Sequence, residues 1–158
     1  MLLKDFIPGI KKDYKNIFFS GISSNSRKIK KDYIFFAIKG SKVNGNNFIN
    51  LAIKKGAKVI ITEKNIKKKI KDVIFLHTKN VRKLLSTISY KIINIKFDKL
   101  VAVTGTNGKS SIADFYYQIL DYNLKRVASI GTIGVRYKKG KIKLNNTTLD
   151  PIRLSSIL

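Results

Sequence analysis

The sequence predicts an α/β fold in two parts: a small α/β domain over residues 1–96, then the start of a second α/β domain over residues 97–158. Two patterns carry this reading. Short apolar runs alternate with helix-period segments through the first part, and in the second an apolar run passes directly into a glycine-bearing turn and a helix. Both belong to chains that lay helices against a largely parallel sheet.

In the first part, apolar runs mark strands at residues 17–22, 33–38, 58–62 and 73–76. Between the second and third, Phe48, Ile49, Leu51, Ala52 and Ile53 have helical spacing, and Gly56 suits a C-terminal cap. A second helix is expected from Asn80, with Val81, Leu84, Leu85, Ile88 and Ile92 on one face. The lysine-rich stretch 64–71 lies between apolar runs and reads as a solvated loop or short helix.

The second part opens with a strand expected at residues 100–104, a glycine turn, a helix over 109–122 and a strand over 126–130. That order predicts a β-α-β unit in a parallel sheet. Residues 135–137 and 141–144 flank Lys138-Lys139-Gly140 as a hairpin. Asp150-Pro151 supplies an N-cap and a first-turn proline for a last helix. The first 96 residues are expected to close a core, whereas the second part is expected to leave apolar faces and strand edges uncovered.

The composition is globular, 44% hydrophobic and 10% aromatic, and the 158 residues suffice for one ordinary domain or a small domain plus part of another. With no cysteine, a disulfide framework, a thiolate metal site and a cysteine nucleophile are excluded. The N-terminus breaks its apolar character too early for a signal peptide. No apolar run approaches the roughly 18–20 residues that span a bilayer. A soluble, cytoplasmic protein is expected.

A net charge of +24 raises the possibility of nucleic-acid binding. The charge is almost all lysine, however: Arg27, Arg82, Arg126, Arg136 and Arg153 are the only arginines, and base readers favour arginine. The lysines are also spread through every segment. Weak adsorption to polyanions is expected, with neither a specific nucleic acid nor a membrane as partner.

The turn Thr104-Gly105-Thr106-Asn107-Gly108-Lys109-Ser110-Ser111 carries the clearest chemistry. Glycines let backbone N–H groups close on phosphate oxygens, the helix aims its positive end at them, Lys109 adds a charge, and the Ser110 hydroxyl can meet Mg²⁺. Gly105, Thr106, Asn107, Gly108, Lys109, Ser110 and Ser111 are the candidate ATP-binding residues. The usual phosphate-loop spacing places a further glycine where Val103 stands, so the common pattern fails.

The variant turn T-G-T-N-G-K-S resembles the ATP-dependent amide ligases of the Mur family. Other segments follow that family in order: Ser24-Asn25-Ser26-Arg27-Lys28, residues 32–40, Asn44-Gly45-Asn46-Asn47-Phe48-Ile49 and residues 52–57. In the family this first domain holds the uridine diphosphate end of the substrate. The resemblance therefore makes Ser24, Ser26, Ser41, Lys42 and Val43 candidate substrate residues. Their chemistry suits the task, since serine hydroxyls after a strand can reach uracil or pyrophosphate and Lys42 can meet diphosphate charge. Each serine taken alone is equally a turn former.

Ser129-Ile130-Gly131-Thr132-Ile133-Gly134 and Asn146-Thr147-Thr148-Leu149-Asp150-Pro151 are similar to the MurE-type branch, which adds the third residue to UDP-N-acetylmuramoyl-L-Ala-D-Glu. That resemblance extends substrate contact to Asn146, Thr147 and Thr148, although threonines before a helix also serve as caps. Asn25 replaces a usual aspartate, and Leu149 a common proline. In the family, ATP phosphorylates the substrate carboxylate, and the amino group of diaminopimelate or lysine attacks the acyl phosphate. The acidic Mg²⁺ ligands, the modified lysine and the amino-acid-binding domain have no counterparts here, so no catalytic residue is assigned. His77 is expected to be a surface or packing residue.

The resemblance thus implies the N-terminal part of a peptidoglycan-precursor ligase, inactive alone, and either completed by a second polypeptide that carries the rest or the product of a decaying gene. The alternatives are a stand-alone nucleotide or UDP-sugar binding module and a basic nucleic-acid-associated protein.

Overall fold

The computed structural model describes residues 1–41, 43–66, 70–94, 97–138, 140–144 and 149–157. It divides into two compact units, one formed by residues 1–95 with 151–158, the other by residues 96–150.

The first unit is built on a four-stranded parallel sheet, β1 (Gly21–Ser23), β2 (Tyr33–Phe36), β3 (Ala57–Thr62) and β4 (Ile74–His77), in that spatial order. Parallel neighbours require crossovers. The one between β2 and β3 contains α2 (Ile49–Lys54), while α1 (Leu3–Phe6) precedes the sheet and α3 (Val81–Ile93) follows it. Gly56 closes the α2 connection at φ +98°.

The strands are apolar on both faces because both are covered. On one, Ile34, Phe36, Val59 and Ile61 pack with Leu3, Phe19 and the α3 residues Val81, Leu85 and Ile88. On the other, Phe35 and Ile60 pack with Ile29, Ile49, Ala52 and Ala57. Ala57 and Ile60 share a face despite their odd spacing because the β2–β3 register shifts between Tyr33 and Ile34. That shift leaves Lys58 as the extra residue, and its ammonium lies 3.7 Å from Asp32 Oδ1.

The expected strand at 17–22 is shorter than its apolar run. Phe18 makes only an isolated bridge to Leu2, and the ladder begins at Gly21. Asn80 caps α3 as expected, its Oδ1 accepting from Lys83 N at 2.8 Å. Residues 67–69 of the lysine-rich stretch lie outside the described residues. The last helix, α5 (Pro151–Ile157), groups with the first unit, where Ile152 packs against the cluster that includes α3.

In the second unit α4 (Lys109–Tyr122) packs on an antiparallel sheet of β5 (Ala128–Gly131), β6 (Gly134–Tyr137) and β7 (Gly140–Ile142). The β6–β7 hairpin lies where the sequence places it. The expected parallel β-α-β unit does not form: β5 pairs antiparallel with β6, and residues 101–104 are not a strand. A strand exists only through its ladder, and among the described residues 101–104 have no neighbouring strand to pair with.

Candidate functional site

In a parallel sheet every strand delivers its carboxyl end to one edge, the usual place for ligand crevices in α/β folds. Here β1, β2, β3 and β4 end there at Ser23, Phe36, Thr62 and His77. Ser24 and Ser26 follow β1 directly, and Ser41 and Val43 lie in the loop after its neighbour β2. The edge therefore gathers the sequence-predicted residues of both loops. Lys42 lies outside the described residues.

Local bonding shapes both loops. After β1, the Ser23 hydroxyl accepts from Asn25 N at 3.0 Å and the Asn25 side chain accepts from Arg27 N at 2.9 Å, turning the chain so that Ser26 is buried and Ser24 half-buried. After β2, Gly40 N donates to Val43 O at 2.9 Å, closing a turn that leaves Ser41 and Val43 exposed. The base of that loop is tight. Gly45 N donates to Ile38 O at 2.8 Å, and a Cβ on Gly45 would stand 2.6 Å from the Ile38 backbone.

Side chains far along the sequence complete the loop's support. The Thr62 hydroxyl donates to Asn46 Oδ1 at 2.6 Å, Asn46 Nδ2 donates to Asn44 Oδ1 at 2.8 Å, and Arg82 Nη2 donates to Lys39 O at 3.3 Å. Sequence reasoning missed these roles for Thr62 and Arg82. Their partners lie 16 and 43 residues away, beyond any local pattern. His77 is exposed at the end of β4.

The glycine turn lies in the second unit. Gly108, at φ +75°, is the last residue before α4, and no side chain caps that helix. At α3, by contrast, Asn80 takes Lys83 N and the Glu63 carboxylate takes Val81 N. The start of α4 thus has first-turn donors free of side-chain caps, and that of α3 does not. The charge stands beside them: Lys109 Nζ donates to Gly105 O, and to Thr106 O at 2.9 Å. Gly105, Thr106, Asn107 and Gly108 are exposed, and a Cβ on Gly108 would meet no atom within 4 Å.

Backbone N–H groups, an ammonium and hydroxyls make a donor set suited to phosphate oxygens. The half-buried Ser110 and the exposed Ser111 begin the helix. Ser110 Oγ lies 2.8 Å from Thr132 Oγ1, in the turn between β5 and β6. Among the described residues no group of three His, Cys, Asp or Glu side chains is placed to hold a metal. A hydroxyl oxygen fits Mg²⁺, which keeps several waters and phosphate oxygens and needs few protein ligands.

Next to Ser110, a shallow cleft is lined by Asp114 of α4, Ser129, Thr132 and Arg136. Arg136 Nη1 donates to Asp114 Oδ1, and its guanidinium stacks 4.6 Å from the centre of the buried Tyr117 ring. Gln118 Nε2 donates to Asp114 Oδ2 at 2.7 Å. The Gln118 amide, together with the adjoining guanidinium, holds the Asp114 carboxyl below its usual value despite partial desolvation. None of Asp114, Tyr117 and Arg136 stood out in the sequence, because the pair forms only when the hairpin folds onto α4.

Two family models match the chain. One, described as Mur ligase family, catalytic domain, covers residues 19–95, and the other, Mur ligase middle domain, covers residues 103–158. The chain belongs to the Mur ligase family. A UDP-N-acetylmuramoyl-L-alanyl-D-glutamate–2,6-diaminopimelate ligase of Rickettsia prowazekii (strain Madrid E) is 43% identical over 126 residues, 77% of this chain and 25% of its own length. The solved structure of a ligase of the same name superposes with a TM-score of 0.78 over 99% of this chain and 32% of its own, at 24% identity, a likeness of fold. The MurF ligase of Thermotoga maritima in complex with ADP matches with a TM-score of 0.52 and 25% identity over 71% of this chain and 25% of its own. The chain spans about a quarter to a third of the length of these relatives.

Proposed function

We propose that this chain is the nucleotide-facing, N-terminal part of a MurE-type ligase that adds the third amino acid, diaminopimelate or lysine, to UDP-N-acetylmuramoyl-L-Ala-D-Glu. In this reading residues 1–96 are the platform for the uridine diphosphate end, with Ser24, Ser26, Ser41, Lys42 and Val43 at the sheet edge. Residues 97–158 begin the ATP-binding domain. Asn146, Thr147 and Thr148, outside the described residues, face the reacting end of the substrate by family resemblance.

The observation that carries the ATP assignment is the start of α4, a glycine-led helix end without a side-chain cap, followed at once by Lys109 and Ser110. Gly105, Thr106, Asn107 and Gly108 bring backbone to the phosphates, Lys109 leaves the carbonyls of its own turn to neutralise phosphate charge, Ser110 supplies the hydroxyl for Mg²⁺, and Ser111 adds a donor in the first turn. Mg-ATP, when bound, supplies the phosphoryl group that activates a carboxylate. The chain's own residues position and neutralise, and the group that presents the attacking amine belongs to the rest of a full-length ligase. Turnover by this chain alone is not expected. Its place is the cytoplasm, and no described helix is long and apolar enough to cross a membrane.

Calorimetric titration tests both halves. UDP-N-acetylmuramoyl-dipeptide should bind more tightly than a random oligonucleotide at physiological salt, where screening removes diffuse lysine attraction first. Lys109→Ala, shown folded by circular dichroism, should weaken Mg-ADP binding by about 1.5–3 kcal/mol, the value of a charge-assisted contact. Equal affinity for the oligonucleotide would favour a basic nucleic-acid-associated protein. Unchanged Mg-ADP affinity in Lys109→Ala would remove the turn as the phosphate site.

A further inference from the structure

We infer that Thr132 is a positioning residue for divalent-cation binding: it accepts the proton of the Ser110 hydroxyl and so leaves a Ser110 lone pair aimed at the cation. The inference rests on the reading of the glycine turn as a phosphate site and adds a residue from the β5–β6 turn.

The argument starts from what a ligating hydroxyl needs. A serine that gives a lone pair to Mg²⁺ becomes a stronger donor, and its proton must point away from the cation to an acceptor. Thr132 Oγ1 lies 2.8 Å from Ser110 Oγ, a pair in which either hydroxyl can donate, and a cation on Ser110 selects the arrangement in which Thr132 accepts. The bond bridges 22 residues and joins the first turn of α4 to the hairpin, so it depends on how firmly the hairpin is held.

Two features hold it. Gly131 pairs with Gly134 across a two-residue turn, and β7 backs Gly134 so closely that a Cβ there would lie 2.4 Å from Ile142 O. From the other side, Arg136 of β6 is tied to Asp114 of α4 and stacks on Tyr117. Thr132 itself is exposed and is not among the buried core residues, so replacing its hydroxyl tests the bond to Ser110 without opening a cavity.

The test separates cation binding from folding. ADP affinity of the whole chain is measured calorimetrically in excess EDTA and again with saturating Mg²⁺, for wild type, Thr132→Val, Thr132→Ser and Lys109→Ala. Thr132→Val keeps the shape and removes the acceptor. It should cut the Mg²⁺-dependent gain in ADP affinity about tenfold, as loss of an outer-shell partner does, while leaving affinity in EDTA unchanged. Thr132→Ser should restore the gain. An undiminished gain in Thr132→Val, with Lys109→Ala still impaired, overturns the role of Thr132 alone and leaves the phosphate site standing. Equal losses with and without Mg²⁺ in Thr132→Val would make Thr132 structural and overturn it as well. A wild type showing no Mg²⁺-dependent gain would take down both this inference and the cation half of the reading beneath it.

Discussion

The two units solve the problem of burying a helix differently. In the first, α2 on one face and α1 and α3 on the other cover a parallel sheet, and Phe19, Ile34, Phe35, Phe36, Val59, Ile60 and Ile61 are all essentially inaccessible to water. In the second, α4 meets a sheet on one side only. Among the described residues of that unit the buried apolar side chains are Tyr117 and Val135, while Ile112, Phe115 and Ile119 of the same helix are more than half exposed. The difference shows that a helix can be specified locally without being buried globally. The ends of α4 agree with its sequence pattern, but among the described residues no layer covers the stripe through Ile112, Phe115 and Ile119.

The largest expected effect breaks the comparison directly. Phe36→Ala empties a fully buried site between β2 and α3 and should destabilise the first unit by about 3–5 kcal/mol. Phe115→Ala removes a ring of similar size that is 63% exposed and should change stability by no more than about 0.5 kcal/mol. Hydrogen exchange read by mass spectrometry reports both. Wild-type amides of β2 and β3 should exchange slowest and residues 97–144 markedly faster, and only Phe36→Ala should accelerate β2 and β3. Comparable losses in the two variants would mean that the exposed face of α4 is covered in solution.

How much was legible follows the same division. The strands of the first unit were readable because burial on both faces makes continuous apolar runs, and α3 because Asn80 and its apolar spacing act within a few residues. The apolar run at 17–22 is longer than the strand it contains, since Phe18 and Phe19 are drawn to the α1 side before the ladder starts. In the second unit the helix and the β6–β7 hairpin depend on local signals and were readable. The parallel strand at 100–104 was not a local matter, because its existence depends on a neighbour. At the site, the glycine turn was visible as a motif. Thr132, Asp114 and Arg136 were invisible as chemistry because tertiary contact alone brings them together across 22 residues.

A smaller effect sharpens the comparison at two glycines. Gly45→Ala drives a Cβ into the Ile38 backbone at the base of the loop after β2, and a packed unit resists that shift, so a loss of about 1–3 kcal/mol is expected. Gly108→Ala meets open space, and its cost is the left-handed conformation alone, about 1–2 kcal/mol. Urea unfolding of each variant, followed by exchange in the affected unit, separates steric from conformational cost. A Gly45→Ala chain as stable as wild type would show that the loop base is loose and that Ser41 and Val43 are not held in place by it.

The smallest effect concerns the electrostatic tie in the second unit. Gln118 and Arg136 hold the Asp114 carboxyl below its ordinary value, so the folded form gives up its proton more readily than the unfolded chain does. The associated stabilisation is therefore present above the ordinary carboxylate range and disappears as pH falls through the lower, folded value. Because the side chains of the pair are 34% and 24% exposed and water screens them, the effect on stability is small, and the titration itself is the better measurement. Carbon-13 NMR of the Asp114 carboxyl should give a midpoint below that of a free aspartate. Gln118→Ala and Arg136→Gln should each raise it. Should Arg136→Gln leave the midpoint where it stands in the wild type, the hairpin would not be tied to α4 in solution, and the packing that places Thr132 beside Ser110 would lose its support.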